Sequence, residues 1–451
     1  MGRRSGLLLR FMINTMEPLA AVDVPAVASV RHTTYRVVSL ALGPLLGQAY
    51  CVAALCSSGE EPASVPFWIK VEHVKVALVI GRLGHGGAER QLMRLAAGLA
   101  KRGHEVSVMA YDGPSPLDAE LTSAGVHVET VEAVSRSAKV HNTRRWVRGF
   151  RPDIVHGFMK RASSVAVLAC LGQRTRPRLL TSDMSTATYA RHRPVLWGAL
   201  LLYAFADGVV TQTEENRRSL ELLAPWLRRR VAVVRNGVET SAFAGPIGRP
   251  RAGPFRFCVV GTVYSVKNPV RVVEAAASLR DRGAGGFHID WYGRRGLMGD
   301  EAPSDDYRAA ITRVEALGLE AHVTFHGQVT DVAKALREAD ALLHVSLQEG
   351  FPNAVVEGMA SGLPIVVSRV SDLPLVVAEA ENGTVVDQLS SASIAEGMAR
   401  IMSTPETELA AMGRRSRDLA ARWFGHDRFV SDFEALYARL VGEGGAGRRE
   451  L

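Results

Sequence analysis

The amino-acid sequence predicts an α/β protein made of two doubly wound domains. Its 451 residues exceed what one ordinary hydrophobic core holds, which favours two domains of about 150–200 residues each. Short apolar runs of strand length alternate with segments of helical periodicity, as in parallel sheets covered on both faces. A segment rich in glycine and proline, residues 245–254, interrupts this alternation and is interpreted as a linker between the domains.

The first predicted domain spans residues 74–240. Val74–Ile80 is a continuous apolar run, and a glycine-rich turn leads from it into a helix at Glu89–Lys101, where apolar residues recur at helical spacing. Further strand candidates follow at Glu105–Tyr111, Val126–Val131, Asp153–Phe158, Arg178–Ser182, Gly208–Thr213 and Val231–Arg235. Strands that alternate with helices in this way predict a parallel sheet.

The pattern restarts in the second predicted domain, residues 254–425. A strand at Phe255–Val260 precedes a glycine turn and a helix at Val270–Asp281. The next strand candidates are Phe287–Tyr292, Val323–His326, Ala341–Val345 and Pro364–Ser368. Two such domains that face each other form a cleft, which is a common place for a ligand.

Residues 1–70 differ from the rest and leave three alternatives open. Val37–Cys56 is largely apolar and follows two arginines, so it could be a membrane segment or signal anchor. Glycine, proline and glutamine interrupt its middle, which equally suits a loosely packed or disordered extension. The third alternative is a true translation start further downstream.

Composition narrows the class of partner. The net charge of +8 suits nucleic acid, anionic lipid or a polyanionic substrate such as a nucleotide sugar. No zinc-finger or RNA-recognition signature is present, so we predict no nucleic-acid partner. The cysteines have no metal-ligand spacing and are interpreted as reduced and structural, which fits the cytoplasm; they are Cys51, Cys56, Cys170 and Cys258.

The strongest chemical signal is the segment EGFPNAVVE, residues 349–357, which follows a predicted strand and opens a helix. Free amides at a helix start favour an anion such as a diphosphate. Glu349, in the loop, can then stabilise positive charge on a sugar ring as the diphosphate leaves, and Glu357 can accept hydrogen bonds from ribose hydroxyls. Asn353 is placed to cap the helix, and Gly362 to end it.

Two glycine turns also follow strands. The loop GRLGHGGAER contains Gly86 and Gly87, which permit close approach of backbone to a ligand. It matches neither the dinucleotide-binding pattern nor the triphosphatase loop. The second turn begins at Gly261 and leads to Lys267, which can act as a point charge on a phosphate.

The string EGFPNAVVEGMASGLPIVVS resembles the donor-site motif of retaining glycosyltransferases of family 4, which have the GT-B fold of two Rossmann-like domains. Further resemblances in the same order are the glycine loop 86–90, the segment PDIVH at 152–156, Asn236-Gly237-Val238, the turn from Gly261 to Asn268, and Asn382-Gly383. Together they span roughly residues 74–440.

The resemblance implies transfer, with retention, from a nucleotide sugar, for which a UDP-linked sugar is expected, to a glycan or lipid-linked acceptor in polysaccharide biosynthesis. It implies no cofactor and no metal, a cytoplasmic protein on the inner face of the plasma membrane in peripheral contact with anionic lipid, and a C-terminal helix, 426–442, that returns to the first domain. The expected catalytic residues are Glu349 and His156. The expected donor-binding residues are Gly86, Gly87, Gly261, Lys267, Gly350, Phe351, Asn353, Ala354 and Glu357.

Two departures from the family pattern leave other functions open. Thr262 stands where many members have arginine, so another cation is expected to serve the leaving group, with Arg294 or Arg295 as candidates. Phe158, Lys160 and Arg161 occupy the stretch where members often carry a further histidine or aromatic residue. The alternatives are a sugar-nucleotide epimerase on the same scaffold, or a weakly active donor-binding subunit of a polysaccharide assembly complex.

Overall fold

The computed structural model describes residues 29–30, 33–41, 50–56, 73–84, 86–173, 176–184, 194–248, 253–283, 286–296 and 302–446. The chain separates into two compact units, Met1–Glu72 and His73–Leu451. What the sequence predicts for residues 1–28 and 57–70 lies outside the described residues.

The N-terminal unit contains three antiparallel strands, β1 (Ser29–Val30), β2 (Thr33–Ala41) and β3 (Tyr50–Cys56). The apolar segment Val37–Cys56 therefore lies in two strands wherever it is described, and residues 42–49 at its centre lie outside the described part. Among the helices that the structure describes, none is both long and apolar enough to cross a bilayer.

A parallel sheet forms the first half of the larger unit. Its strands are β4 (Lys75–Ile80), β5 (Glu105–Ala110), β6 (His127–Thr130), β7 (Ile154–Phe158), β8 (Arg178–Asp183), β9 (Gly208–Thr211) and β10 (Val231–Val233). Their spatial order is β10-β9-β8-β7-β4-β5-β6, and each pairing is parallel. The helices of this half are α1 (Gly87–Lys101), α2 (Leu117–Ser123), α3 (Arg136–Phe150), α4 (Met159–Cys170), α5 (Pro194–Tyr203) and α6 (Glu214–Leu223).

A second parallel sheet forms the other half, after the short helix α7 (Thr240–Phe243). Its strands are β11 (Phe255–Val260), β12 (Phe287–Tyr292), β13 (Val323–Gly327), β14 (Ala341–His344), β15 (Ile365–Ser368) and β16 (Gly383–Val386), in the spatial order β13-β12-β11-β14-β15-β16. Its helices are α8 (Pro269–Asp281), α9 (Asp305–Leu317), α10 (Val332–Arg337), α11 (Asn353–Ala360), α12 (Leu373–Ala380), α13 (Ser391–Met402) and α14 (Glu406–Phe424). Two doubly wound parallel sheets are what the sequence predicts, so the predicted fold class is confirmed.

Each sheet has one point where the strand order reverses. In the first sheet it lies between β4 and β7, and in the second between β11 and β14. Crossover helices leave to opposite sides there, which opens a crevice at the carboxyl ends of the strands, where α/β proteins bind ligands. The loops after β4, β11 and β14 are therefore the places to look for a site.

The last helix, α15 (His426–Ala446), packs on the first half of the chain rather than on the second sheet that precedes it. Arg102, just after α1, forms an ion pair with Glu434 of α15, and Nε2 of His104 lies 3.0 Å from the same carboxylate. Where Gly98 of α1 faces α15, a Cβ atom would overlap Val430. The helix thus lies in close contact with α1.

Candidate active site

The loops after β11 and β14 form one structure at the reversal point of the second sheet. The two strands are hydrogen-bonded neighbours, with Phe257 paired to Ala341. Beyond the strands, the amide of Leu347 donates to the carbonyl of Val266 at 2.7 Å, and Nδ2 of Asn268 donates to the carbonyl of Val345 at 3.2 Å. These bonds fix the loop that carries Lys267 against the loop that carries Glu349.

Lys267 and Glu349 form an ion pair in this double loop, with Nζ 2.5 Å from Oε1. Nε2 of His344, at the end of β14, lies 3.0 Å from the same oxygen. An ionised carboxylate only accepts hydrogen bonds, so Nε2 of His344 must carry the proton and donate. The site therefore holds one cation, one anion and a neutral imidazole beneath them.

Burial opposes the ionisation of Glu349, but the charge of Lys267 and the hydrogen bond from His344 outweigh it and hold the pKa of the carboxyl well below its usual range. Burial and the charge of Lys267 together lower the pKa of His344, against the opposing effect of Glu349. The result is a carboxylate that stays negative and an imidazole that stays neutral near neutral pH.

Gly261 begins the turn that brings Lys267 to this position. Its φ of +154° suits glycine, and a Cβ atom there would lie 3.2 Å from Cε of Lys267. The carbonyl of Gly261 accepts a hydrogen bond from Nε1 of Trp291 at 2.8 Å. The turn is thus held by Trp291 and lies against the side chain of Lys267.

Helix α11 begins at the donor-type motif, but its start differs from the prediction. Pro352, not Asn353, is the N-cap, and the Asn353 side chain makes no capping bond. Its Oδ1 instead accepts from Nε2 of Gln91 at 3.2 Å and from Nδ2 of Asn236 at 2.9 Å. The predicted cap is wrong because this buried amide joins α11 to α1 and to the connection between the halves.

The other predicted residues of the motif have distinct surroundings. The ring of Phe351 is buried and stacks on Phe424 at 4.9 Å, so only its backbone faces polar partners. A Cβ atom on Gly350 would overlap the carbonyl oxygen of Met184, which directly follows β8. Ala354 is half-buried in the first turn of α11, where helix amides lack intrahelical partners.

The glycine loop after β4 faces α11 directly. A Cβ atom on Gly87 would lie 3.6 Å from Nδ2 of Asn353, whereas one on Gly86 would meet only the flexible end of Glu89. Arg90 reaches across to Glu357, with Nη1 3.3 Å from Oε1. Gly87 and Arg90 of the first half therefore meet Asn353 and Glu357 of α11, and Arg90 adds a cation there.

His156 does not reach this site, and its assignment as a catalytic residue is corrected. It is fully buried, with Nδ1 2.8 Å from Oη of Tyr437 and Nε2 2.7 Å from Oγ of Ser182. Burial lowers its pKa to about 3. Both ring nitrogens are engaged by protein groups, so the histidine holds β7 to β8 and to α15 and has no ring nitrogen left for a substrate.

Comparisons with known proteins identify the family to which this chain belongs. A family model described as Glycosyltransferase Family 4 matches residues 85–242, and one described as Glycosyl transferases group 1 matches residues 247–418. The two matches together cover more than half of the chain. The chain belongs to the group 1 glycosyltransferases.

Individual relatives agree with this family. D-inositol 3-phosphate glycosyltransferase of Corynebacterium glutamicum (strain R) is 30% identical over 181 residues, which are 40% of this chain and 42% of that protein. The match thus spans less than half of that relative's length. Glycogen synthase of Mycobacterium tuberculosis (strain CDC 1551 / Oshkosh) is 25% identical over 390 residues, which are 77% of this chain and 88% of that protein.

Solved structures show the same fold. Anabaena HepE, solved in complex with UDP and glucose, superposes with a TM-score of 0.71 at 17% identity and covers 81% of this chain and all of that chain. At this identity the likeness bears on the fold alone, and it agrees with the predicted GT-B architecture.

Because Thr262 stands where many members of the family have arginine, another cation was expected to serve the leaving group, with Arg294 or Arg295 as candidates. In this group 1 glycosyltransferase the structure offers a different residue. Nη2 of Arg295 donates to the carbonyl of Phe325 at 3.2 Å, and its guanidinium lies over the ring of Tyr307. Arg90, on the opposite half, forms an ion pair with Glu357 of the motif and is the candidate. Sequence reasoning missed it because its target lies 267 residues further along the chain.

Other site residues were also missed. His344 is a polar residue at the end of an apolar strand, which is a visible signal, but its hydrogen bond to Glu349 depends on the turn between them. Gln91 is fully buried, and a polar residue on the apolar face of α1 could have indicated it. Lys160, one of the residues that depart from the family pattern, forms a buried ion pair with Asp183 at 2.6 Å beside the end of β7. This ion pair is a structural reason for the lysine.

Proposed function

We propose that this glycosyltransferase moves a hexosyl group, with retention, from a UDP-linked sugar to a glycan or lipid-linked acceptor in polysaccharide biosynthesis. The observation that supports this most is the cluster of Lys267, Glu349 and His344 at the reversal point of the second sheet, next to the start of α11, where Gly87 faces Asn353. The solved relative that holds UDP and glucose supports the choice of donor.

The donor diphosphate would lie at the start of α11. The first-turn amides of a helix and the ammonium of Lys267 supply fixed positive charge for a leaving anion. In this arrangement a phosphate would share Lys267 with Glu349. Arg90 pairs with Oε1 of Glu357. Ribose hydroxyls would donate hydrogen bonds to the other oxygen of that carboxylate.

Glu349 would stabilise the sugar ring as the bond to the diphosphate breaks. Its carboxylate is already ionised, and His344 donates to it from below, so no proton has to move before charge develops on the ring. The acceptor hydroxyl would attack from the face that the diphosphate leaves, form the new glycosidic bond and give its proton to a diphosphate oxygen. Lysine and helix amides supply the positive charge, so we propose metal-independent transfer.

A direct assay separates this function from its alternatives. Purified protein is incubated with labelled nucleotide sugars and a lipid extract, in the presence and absence of EDTA. Transfer predicts released nucleoside diphosphate and labelled lipid or glycan in both conditions. A changed nucleotide sugar without an acceptor would identify an epimerase, and binding without turnover would identify a donor-binding subunit; either result contradicts the proposal.

We also propose that the protein contacts the anionic inner face of the plasma membrane through one surface of its first half. Large apolar side chains are exposed there: Leu201 (59%), Phe205 (51%), Leu222 (77%) and Trp226 (45%). Arg228 and Arg229 follow Trp226 and are exposed. We call these six residues the basic apolar surface.

Arg230 connects the two parts of this surface. Its Nη1 donates to the carbonyls of Ala204 at 2.7 Å and Ala206 at 3.1 Å, which flank Phe205. Aromatic side chains next to arginines suit the boundary between headgroups and acyl chains of an anionic bilayer, because the rings bury apolar area while the cations meet lipid phosphates.

Vesicle sedimentation tests this contact. The wild type is expected to bind vesicles of phosphatidylcholine with phosphatidylglycerol and not those of phosphatidylcholine alone. The double variant Arg228→Glu/Arg229→Glu should lose this binding. The matched charge change Arg145→Glu/Arg148→Glu, on exposed positions of α3, should keep it. Equal binding by both variants would contradict the proposed surface.

A further inference from the structure

The loop between β15 and α12 crosses to the first half of the protein. The carboxylate of Asp372 accepts two backbone hydrogen bonds at the start of α6, from the amide of Glu214 at 2.9 Å and from that of Glu215 at 3.0 Å. Asp372 is buried, and 157 or more residues separate it from these donors. A carboxylate from one half therefore caps a helix of the other.

The preceding residue ties the same loop to the donor motif. Ser371 has a φ of +56°, which is rare for a residue with a side chain, and its hydroxyl donates to the carbonyl of Gly350. Gly350 is next to Glu349 in sequence and packs against the backbone of Met184 in the first half. Two adjacent residues thus connect α6 with the motif turn, which itself packs against Met184.

We propose that Ser371 and Asp372 form a clasp that holds the two halves closed and sets the position of the Glu349 turn. Asp372 and Ser371 are positioning residues in this proposal. Hydrogen bonds from amides to an ionised, buried carboxylate are among the stronger ones, and the positive end of the helix dipole adds to them. Opening the halves would break both hydrogen bonds that Asp372 accepts, so these two bonds together stabilise the closed form.

The two residues have separable effects. Asp372 acts on the equilibrium between open and closed forms, because its partners lie on the opposite half. Ser371 acts within its own half, because it bonds to the carbonyl beside Glu349. Loss of the first should reduce the population that binds donor, whereas loss of the second should leave closure intact and disturb the geometry of the carboxylate.

The first experiment measures closure without any substrate. Dyes are attached through Glu120→Cys and Glu315→Cys, exposed positions in α2 and α9, after Cys51 and Cys56 are replaced by serine. Asp372→Asn keeps the size of the side chain but turns an amide toward amide donors. We expect the open fraction, by energy transfer and small-angle scattering, to rise about tenfold, as loss of two charge-assisted bonds allows.

Asp331→Asn is the matched control. Asp331 also accepts a backbone amide at a helix start, that of Lys334 at 2.8 Å, but both lie in the second half. It should leave the open fraction unchanged. If Asp372→Asn gives the same distribution as the wild type and Asp331→Asn, the clasp does not exist.

The second experiment uses kinetics and rests on the proposed function. Asp372→Asn should raise the KM for donor about tenfold with little change in kcat, because saturating donor restores the closed form. Ser371→Gly, which fits the positive φ, should fold normally and lower kcat with KM nearly constant. Equal effects of both variants on KM and kcat would overturn the division of roles.

Failure of the proposed function would be seen separately. A wild type that transfers no sugar would leave the closure measurement unaffected, since that measurement needs no donor. If Asp372→Asn does not fold, Ser371→Gly alone still decides whether the link to Gly350 affects the site.

Discussion

Nζ of Lys267 lies 2.5 Å from Oε1 of Glu349, so the cation that would hold a departing diphosphate and the anion that would face the sugar neutralise each other. The pair avoids a buried, uncompensated charge at either residue. Because hydrogen bonds join the loops that carry them, each residue depends on the other for its position, and the lowered pKa of Glu349 depends on Lys267.

Glu349→Gln should leave the fold intact and reduce sugar transfer at least about a hundredfold, the scale of losing one electrostatic stabiliser of a transition state. The amide has the same shape but no negative charge for the ring. Initial rates at saturating donor, with the melting temperature as a check on folding, measure this. Near-normal rates would remove Glu349 from the mechanism.

Lys267→Met should lower the free energy of unfolding near neutral pH by about 3 kcal/mol, because it leaves a buried carboxylate without its cation. The pKa of Glu349 in the folded wild type is below its unfolded value, so the pair stabilises above about pH 4.5 and this contribution is lost as pH falls. Denaturant titrations across pH should show the deficit of the variant shrinking in acid.

The double variant Lys267→Met/Glu349→Gln should recover most of that stability, because no unpaired charge is left. If the double variant instead loses as much unfolding free energy as the two single variants together, the two residues act independently.

His156→Phe should reduce the acid sensitivity of folding. The folded pKa of His156 is about 3 and the unfolded value 6.5, so the unfolded chain binds the extra proton between these values. Wild-type stability therefore falls with decreasing pH below about 6.5, by at most about 1.4 kcal/mol per pH unit from this residue. Unfolding free energies of both proteins at several pH values should show the shallower slope in the variant.

The same variant tests the corrected role of His156. Its kcat, per folded molecule, should stay within a few-fold of the wild type, since a structural histidine contacts no substrate. A loss of about a hundredfold or more in a well-folded variant would restore a catalytic role.

Gly350→Ala should impair closure more than folding. A Cβ atom there would overlap the carbonyl of Met184, and backbone cannot move aside as a flexible side chain can. We expect transfer to fall at least about tenfold while the melting temperature changes little. The control is Gly149→Ala, at a helical position with open space, which should keep full activity. Equal activity of the two variants would show that the halves do not approach as closely in solution.

Local signals in the sequence predicted the framework well. The apolar run Val74–Ile80 matches β4 to within one residue, because a strand buried on both faces must be apolar throughout. Ser304 caps α9 by accepting from Tyr307, and Gly362 follows α11 with a φ of +81°, both as their residue types indicate. These features depend on neighbours within a few positions.

The failures all depend on partners that are distant in the chain. The sequence predicted that Asn353 caps the helix, but its side chain accepts hydrogen bonds from Gln91 and Asn236 of the other half. His156 looked like a cleft residue, but Tyr437, which is 281 residues away, closes over it. The spacing of residues within a motif contains no information on such contacts. The sequence therefore located the motif but did not predict which distant residues its side chains contact.

The packing of α15 on the first half also has a consequence for synthesis of the protein. Tyr437 and its helix complete the surroundings of His156, yet Tyr437 leaves the ribosome 281 residues after that histidine. The first half of the protein must therefore wait, with that histidine uncovered, until translation has passed residue 437. A stop codon before residue 426 would remove this cover from a half of the protein that is otherwise complete.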